Sequence, residues 1–206
     1  MKVLSLDTCL PACSAAVLDG DLVLASAFEP MVKGHQERLA TMVREVMQEA
    51  GIAFDDLDRI GVTVGPGSFT GLRVGVAFAK GLAAALGRPC VGVGALPALA
   101  GERPGLVVAA VDARRGQVYV QAFQDGRALT EPSALRAEDA VAAIRRLGET
   151  PVLVGSGAPL LAEAFPAARQ EVEALPDPVV VARLAARSTA PAEPIYLRAP
   201  DAVLPA

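Results

Sequence analysis

The order of short apolar segments in the first half of this 206-residue chain constrains its fold most. Three short aliphatic runs come first, and a tight Asp-Gly-Asp turn at residues 19–21 separates the second from the third. Residues 35–50 carry apolar side chains at helical spacing, and a second helical stretch occupies 71–86. The chain therefore predicts a mixed α/β domain, with three adjacent strands followed by helix, strand, helix and strand. The predicted strands are residues 2–6, 13–19, 22–28, 59–64 and 90–93.

A similar order begins again after a Gly-Glu-Arg-Pro-Gly segment at residues 101–105, which has the composition of a linker. Two domains are therefore predicted, residues 1–102 and residues 103–206. The second is predicted to hold strands at 106–111, 117–123 and 152–154 and helices at 137–147, from 155–157 through Phe165, and at 179–187, before a proline-rich tail. The βββαβα order is that of a ribonuclease-H-like half. Two such halves in tandem, the second reduced, predict the architecture shared by actin, Hsp70 and sugar kinases.

Charge and cysteine usage exclude several classes of protein. The net charge is −4, and neither half has the excess of basic residues that a protein binding nucleic acid by itself requires. Three cysteines do not form a disulfide framework. The N-terminal apolar run is too short for a leader, and the longest uncharged stretch, about 13 residues at 89–101, is too short to span a bilayer. We therefore expect a cytoplasmic protein with no membrane association.

Neither a metal site nor a nucleophilic site is predicted. His35 is the only histidine, and the position one helical turn later, where a helical metal site needs a second ligand, is Leu39. Cys9 and Cys13 have no second pair of ligands. Ser68 or Cys9 could be a nucleophile with His35 as its base, but the sequence marks no third residue to complete such a catalytic triad. The sequence therefore predicts no independent catalytic centre.

Three turns stand where the actin-like architecture would hold a nucleotide. The first contains Pro11, which has no N–H to offer phosphate, and the second contains two arginines, Arg114 and Arg115, where bare backbone is wanted. The third is a short Gly-Ser-Gly turn before a helix. The three turns therefore indicate a vestigial nucleotide site, with no tightly bound cofactor. Its candidate residues are Asp7, Thr8, Asp112, Gly155 and Gly157.

The stretch GPGSFTGLRVGVAFAKG, residues 65–81, allows two interpretations. It differs from a phosphate loop because its lysine, Lys80, comes more than two helical turns after the glycines. Small residues instead recur every four positions and form a row that lets another backbone approach closely. That row could pack on the chain's own helix at 35–50, or both helices could also face another subunit. The row consists of Gly71, Gly75, Ala79 and Ala83.

The motifs LDTC, GHQERL, GPGSFTGLRVGVAFAKGLA, VDARRGQVYVQAF and PIYLRAPDA together resemble the TsaB family, also called YeaZ, over nearly the whole chain. The resemblance implies a non-catalytic subunit of the bacterial machinery that places threonylcarbamoyl on a tRNA adenosine. It implies pairing with the catalytic relative TsaD and with the ATPase TsaE, self-association in isolation, and tRNA contact only through the complex. ATP or ADP could lie at a subunit boundary. The alternative function is a self-sufficient actin-like ATPase or a glycoprotease-like peptidase.

The resemblance also implies that the helices at 35–50 and 71–86 make the subunit contact. We therefore predict that Gly75→Leu or Ala79→Leu abolishes binding to TsaD and spares the monomer fold, because the added side chain keeps two helices apart. The roles of Arg73 and Lys80 are left open. The predicted interface residues are His35, Leu39, Met42, Val43, Val46, Gly71, Arg73, Gly75, Ala79 and Ala83.

Overall fold

The computed structural model describes residues 1–198, and the predicted tail from Ala199 onward lies outside them. The predicted α/β class is confirmed. The elements of the first half are β1 Lys2–Asp7, β2 Ala12–Asp19, β3 Leu22–Pro30, α1 His35–Ala50, β4 Arg59–Thr63, α2 Phe69–Leu86 and β5 Cys90–Val93. Its strands form a five-stranded sheet of order β3-β2-β1-β4-β5. β2 is antiparallel to both of its neighbours, whereas β4 runs parallel to β1 and β5.

The second half of the chain contains a second sheet. The elements that follow β5 are α3 Ala95–Ala100, β6 Leu106–Arg114, β7 Gln117–Gln124, β8 Arg127–Ala128, β9 Ser133–Arg136, α4 Ala137–Arg145, β10 Val152–Val154, α5 Pro159–Ala162, β11 Gln170–Glu171 and α6 Pro178–Arg187. The second sheet repeats the order of the first, with β11-β10-β6-β7-β8 and β9 also paired to β7. β6 and β7 are antiparallel, and β10 runs parallel to both β6 and β11, as in the first sheet. The predicted duplication of one half is therefore present in the strand order.

The two long helices cover one face of the first sheet. α1 buries the apolar row predicted from its spacing, and Gly51 ends it in the left-handed conformation at φ 66°. α2 begins two residues earlier than predicted, because the Ser68 side chain caps it by accepting a hydrogen bond from the Gly71 amide at 3.3 Å. Leucine, valine and methionine side chains from β1, β4, α1 and α2 form the core between them.

Short elements account for most differences from the sequence prediction. α3, β8, β9 and β11 were missed because two to six residues are too few to show a period. The helix predicted through Phe165 is only the four residues of α5, because bonds of the tighter i→i−3 kind occupy the following turn.

Two helices pack on the sheet that lies on the other side of the predicted boundary between residues 102 and 103. α3 packs on β6 and β7 of the second sheet, and α6 packs on β1, β2 and β4 of the first. Gly61 makes room for α6, because a Cβ there would lie 2.2 Å from the Ala185 Cβ. The Arg59 guanidinium donates to three carbonyls at the C-terminal end of α6, those of Ala185, Ala186 and Ser188. α3 therefore packs with the second sheet and α6 with the first, each across the boundary predicted from the sequence.

Candidate functional site

The two polar side chains at the C-terminal end of β1, Asp7 and Thr8, form hydrogen bonds with other groups of the same chain. The Asp7 carboxyl is fully buried, and its Oδ1 accepts hydrogen bonds from the Cys9 amide at 2.9 Å and from the Thr63 hydroxyl. Burial raises the pKa of the Asp7 carboxyl to about 6, although both hydrogen bonds act in the opposite direction. The buried Thr8 hydroxyl donates to the Gly71 carbonyl at 2.7 Å. Asp7 and Thr8 thus face the interior, where a nucleotide in solvent does not reach them.

The second half repeats the Asp7 turn. Oδ1 of Asp112 accepts from the amide of Arg114 at 2.7 Å, two residues later, as Asp7 accepts from Cys9. Arg114 and Arg115 then adopt the left-handed conformation, with φ of 67° and 55°. The Arg114 side chain is 85% exposed and extends from a hairpin turn. The second predicted nucleotide turn therefore presents side chains and not bare backbone.

The amides of the third turn donate hydrogen bonds to carbonyls of the same chain. The Gly155 amide donates to the Glu171 carbonyl at 2.9 Å, and the Gly157 amide donates to the Ala110 carbonyl at 2.9 Å. A Cβ at Gly155 would lie 2.6 Å from the Ala110 oxygen, so the glycine serves close contact with the end of β6. Ser156 accepts from the Asp112 amide at 3.1 Å. Gly155 and Gly157 are therefore explained by packing within the second half.

The thiol nearest the first turn is not activated. Burial, and then the nearby Asp7 charge, raise the pKa of Cys9 well above its ordinary value. Burial likewise raises the pKa of Cys13 to about 11. Since the thiolate is the nucleophile, neither side chain is a reactive cysteine at neutral pH. Residues 1–198 contain no cluster of three or more His, Cys, Asp or Glu side chains that could hold a metal ion.

The row of small residues on α2 packs against its own sheet. A Cβ at Gly71 would lie 2.1 Å from the Thr8 carbonyl oxygen, and one at Gly75 would lie 2.5 Å from the Thr8 hydroxyl. Ala79 and Ala83 are buried in the same core. The expectation that Gly75→Leu or Ala79→Leu spares the monomer fold is therefore wrong, because both substitutions overpack the interior.

Most of the predicted interface side chains lie inside the monomer. Of the ten, Arg73 is exposed, whereas the other nine are buried on α1 and α2. The α1 residues face inward because the apolar stripe of an amphipathic helix covers its own core first. The buried nine are His35, Leu39, Met42, Val43, Val46, Gly71, Gly75, Ala79 and Ala83.

A different set of side chains forms the outer surface of α1 and α2. The Arg73 guanidinium lies 3.8 Å from the centre of the Phe69 ring, and its Nε donates to the Tyr196 hydroxyl at 3.2 Å. The Phe69 and Tyr196 rings lie 5.6 Å apart, and about half of each residue is exposed. A groove of about 490 Å³ runs beside this aromatic–arginine cluster. Its lining residues are Gln36, Leu39, Phe69, Thr70, Arg73, Val74, Ala77 and Phe78.

Sequence reasoning missed the aromatic members of this surface, although α2 itself carries a signal for them. The helix has only two charged residues in 18, Arg73 and Lys80, so its outer face is also apolar. By length and hydropathy, α2 is the one helix among residues 1–198 that could cross a membrane, and about a third of it is buried. Its glycine contacts with Thr8 hold it against the first sheet. A helix that is apolar all round requires cover on both faces.

Comparison with known proteins adds a family and a fold. Residues 29–181 match the family model of TsaD, described as a tRNA N6-adenosine threonylcarbamoyltransferase. The TsaB protein of Escherichia coli, named for tRNA threonylcarbamoyladenosine biosynthesis, is 36% identical over 129 residues, 60% of this chain and 55% of that protein. The structure of YeaZ from Pseudomonas aeruginosa has a TM-score of 0.80 and 32% identity, covering 95% of this chain and 99% of that one.

A more distant likeness concerns the fold alone. Component A of the Acidaminococcus fermentans (R)-2-hydroxyglutaryl-CoA dehydratase has a TM-score of 0.51 at 10% identity, over 90% of this chain and 95% of that one. The predicted architecture of two ribonuclease-H-like halves, shared by actin, Hsp70 and sugar kinases, is confirmed.

Proposed function

The chain belongs to the TsaB (YeaZ) family, and we propose that it is a non-catalytic scaffold subunit of the complex that transfers threonylcarbamoyl to tRNA adenosine. In this role it pairs with the catalytic subunit TsaD, is joined by the ATPase TsaE, and contacts tRNA only through the complex. In isolation it pairs with a second copy of itself. We place it in the cytoplasm, because that reducing compartment keeps cysteines such as its three free thiols unpaired.

The exposed apolar face of α2 is the observation that carries this proposal. Phe69, Arg73 and Tyr196 form a preassembled cluster in which the stacked guanidinium and the two rings hold one another in place. Aromatic and arginine side chains of this kind dominate the energy of protein interfaces. The neighbouring groove supplies the concave apolar surface into which a partner's helix can pack.

The match to the TsaD model supports pairing of like surfaces. Because that model covers residues 29–181, it includes both α1 and α2, so a TsaD partner is expected to present an equivalent helix pair. Two equivalent faces related by a twofold axis make an isologous contact, in which the same patch serves both subunits. The same geometry accounts for a self-dimer when TsaD is absent.

Three features support a non-catalytic role. Leu39 stands one turn after His35, where a helical metal site would need its second ligand. The first and third nucleotide-like turns direct their hydrogen bonds to the chain itself, and the second presents arginine side chains. Burial keeps the Cys9 thiol protonated. These features favour a scaffold over the alternative of a self-sufficient ATPase or peptidase.

Phe69→Ala and Arg73→Ala are each expected to weaken binding to TsaD by about 30-fold, because each removes a member of the interface cluster. The measurement is the dissociation constant by calorimetry, with the thermal midpoint of each variant taken first. Arg127→Ala on β8, an exposed arginine of the second sheet, is the matched control and should leave the constant unchanged. Equal affinity for all three variants and the parent chain would refute the proposed face.

The purified chain is expected to show no ATPase or peptidase turnover above a buffer blank. Addition of TsaD, TsaE and tRNA should produce threonylcarbamoyl transfer that depends on this chain, and omission of the chain should abolish it. Robust ATP or peptide hydrolysis by the chain alone, observed after each of two different purification procedures, would favour the enzyme alternative.

A further inference from the structure

Four arginines come together at the tip of the hairpin that joins β6 to β7. Arg114 and Arg115 form the tip itself. Arg136, the last residue of β9, lies opposite the first residue of β7. Arg198 comes from the segment after α6, and its guanidinium donates to the Ala113 carbonyl at 2.8 Å. Three separate segments of the chain therefore bring guanidinium groups to one hairpin.

The backbone at this tip adopts a conformation that arginine rarely takes. Arg114, Arg115 and Gly116 all have positive φ, of 67°, 55° and 71°. Because Arg114 pairs with Gln117, the turn consists of Arg115 and Gly116, a place where asparagine or aspartate before glycine is the usual choice. A left-handed arginine costs roughly 1–2 kcal/mol. The two arginines therefore weaken the hairpin, and such an outlier points to a function of the side chains.

The surface of the tip is polar and basic. The side chains of Arg114 and Arg136 are 85% and 72% exposed. Asp112 lies 3.5 Å from the Arg114 guanidinium, and Glu138 lies 3.7 Å from that of Arg136. Exposed ion pairs of this length contribute little, so both guanidinium groups can exchange these partners for another anion. No large apolar side chain among residues 111–118 is exposed, so the tip suits a polyanion better than the apolar centre of a protein interface.

The tip lies at the rim of the aromatic–arginine cluster on α2. The Tyr196 hydroxyl accepts a hydrogen bond from Arg73 within that cluster, and Arg198 follows Tyr196 by two residues. Two residues of extended chain span at most about 7 Å, and Arg198 contacts the β6–β7 hairpin directly. A partner seated on the cluster would therefore have the basic tip beside it.

We propose that the β6–β7 hairpin binds the phosphate backbone of the tRNA that the complex modifies. Guanidinium groups bind phosphate oxygens through paired hydrogen bonds, and such contacts position an RNA without reading its sequence. The chain belongs to a family named for tRNA threonylcarbamoyladenosine biosynthesis, so tRNA is the polyanion expected beside the cluster.

This inference rests on the proposed subunit role. The chain has a net charge of −4, so one basic hairpin holds RNA only weakly when the chain is alone. A partner that also binds the tRNA raises the effective concentration of phosphate at the hairpin, and the contact then adds to the affinity of the whole complex.

The test measures the binding of fluorescently labelled tRNA to the pair of this chain and TsaD, by anisotropy at several salt concentrations. Arg114→Gln and Arg115→Asn are each expected to weaken binding by at least about fivefold. Each should also reduce the slope of log affinity against log salt by about one, because each removes one phosphate contact. Asparagine suits the turn better than arginine, so the thermal midpoint of Arg115→Asn should not fall.

Arg127→Gln is the matched control. It removes the same charge from β8, which pairs with the far end of β7, roughly 20 Å along the strand from the hairpin. Affinity and salt slope should match those of the parent chain. Equal tRNA affinity for the parent and both hairpin variants would overturn the proposal. Calorimetry of pairing with TsaD in the absence of RNA gives a second check, since a loss of pairing that explains the whole loss of tRNA affinity would make the hairpin a protein contact.

Failure of the subunit role has a different outcome from failure of the hairpin proposal. A parent chain that does not pair with TsaD would contradict the subunit role alone. The same titration is then made with the chain by itself at low salt, where contacts to phosphate are strongest. Loss of tRNA affinity in Arg115→Asn and not in Arg127→Gln would support the hairpin, and equal affinities for these two variants would overturn it.

Discussion

Gly71→Ala is expected to destabilise the isolated chain by about 3 kcal/mol or more, although it adds only one methyl group. The new Cβ would stand 2.1 Å from the Thr8 carbonyl oxygen, which is backbone and cannot swing away. α2 would have to lift from the end of β1, and the Thr8 hydroxyl would lose its 2.7 Å bond to the Gly71 carbonyl. For a chain of this size, the midpoint of thermal unfolding should fall by on the order of 10 °C.

Gly81→Ala is the matched control on the same helix. A Cβ at Gly81 meets no atom of the described chain within 4 Å, and alanine is a better helix former by about 1 kcal/mol. The midpoint should therefore rise by roughly 2–4 °C. Urea unfolding of the two variants, monitored by circular dichroism, gives the comparison. Similar stabilities for both variants would show that the Thr8 contact does not require glycine.

These two glycines show what the sequence could predict of the site. The spacing of small residues correctly indicates a close approach of backbone to α2, but spacing carries no information on which neighbour approaches. Thr8, 63 residues earlier, is that neighbour, and only the parallel pairing of β1 with β4 brings it beneath the helix. The row of small residues therefore indicated packing within the chain. The apolar residues between them on α2 were the ones that indicated an exposed contact surface.

Helices that span several repeats of the apolar spacing could be predicted from the sequence, whereas elements whose position depends on tertiary contacts could not. The apolar row of α1 fills several turns, so its bounds at His35–Ala50 follow from the sequence. The placement of α6 on the first sheet depends on Gly61 and on the Arg59 bonds to its C-terminal carbonyls, contacts that join residues more than 120 positions apart. Tyr196 reaches Arg73 across a similar separation. No local pattern encodes such pairs.

The stability of the chain is expected to fall by about 3 kcal/mol as the pH rises from about 4 to above 6, through the ionisation of Asp7. Burial raises the pKa of this carboxyl from 3.8 to about 6 in the folded chain. Between these values the folded chain holds a proton that the unfolded chain has lost, so unfolding becomes easier with rising pH. The difference of about two pKa units corresponds to about 3 kcal/mol.

Asp7→Asn isolates this contribution, because an amide of the same shape cannot ionise. Its second polar atom replaces Oδ2, which is buried without a partner within residues 1–198, and any resulting offset in stability does not change with pH. The free energy of unfolding is measured in urea at several pH values for the parent, for Asp7→Asn and for Asp21→Asn, an exposed carboxyl in the β2–β3 turn. The stability of Asp7→Asn relative to the parent should rise by about 3 kcal/mol between pH 4 and pH 7.5, and that of Asp21→Asn should stay nearly constant. A constant difference for Asp7→Asn would show that folding does not raise the pKa of this carboxyl. A difference that falls with pH would mean that the carboxyl is held ionised by a partner, because a lowered pKa has the opposite slope.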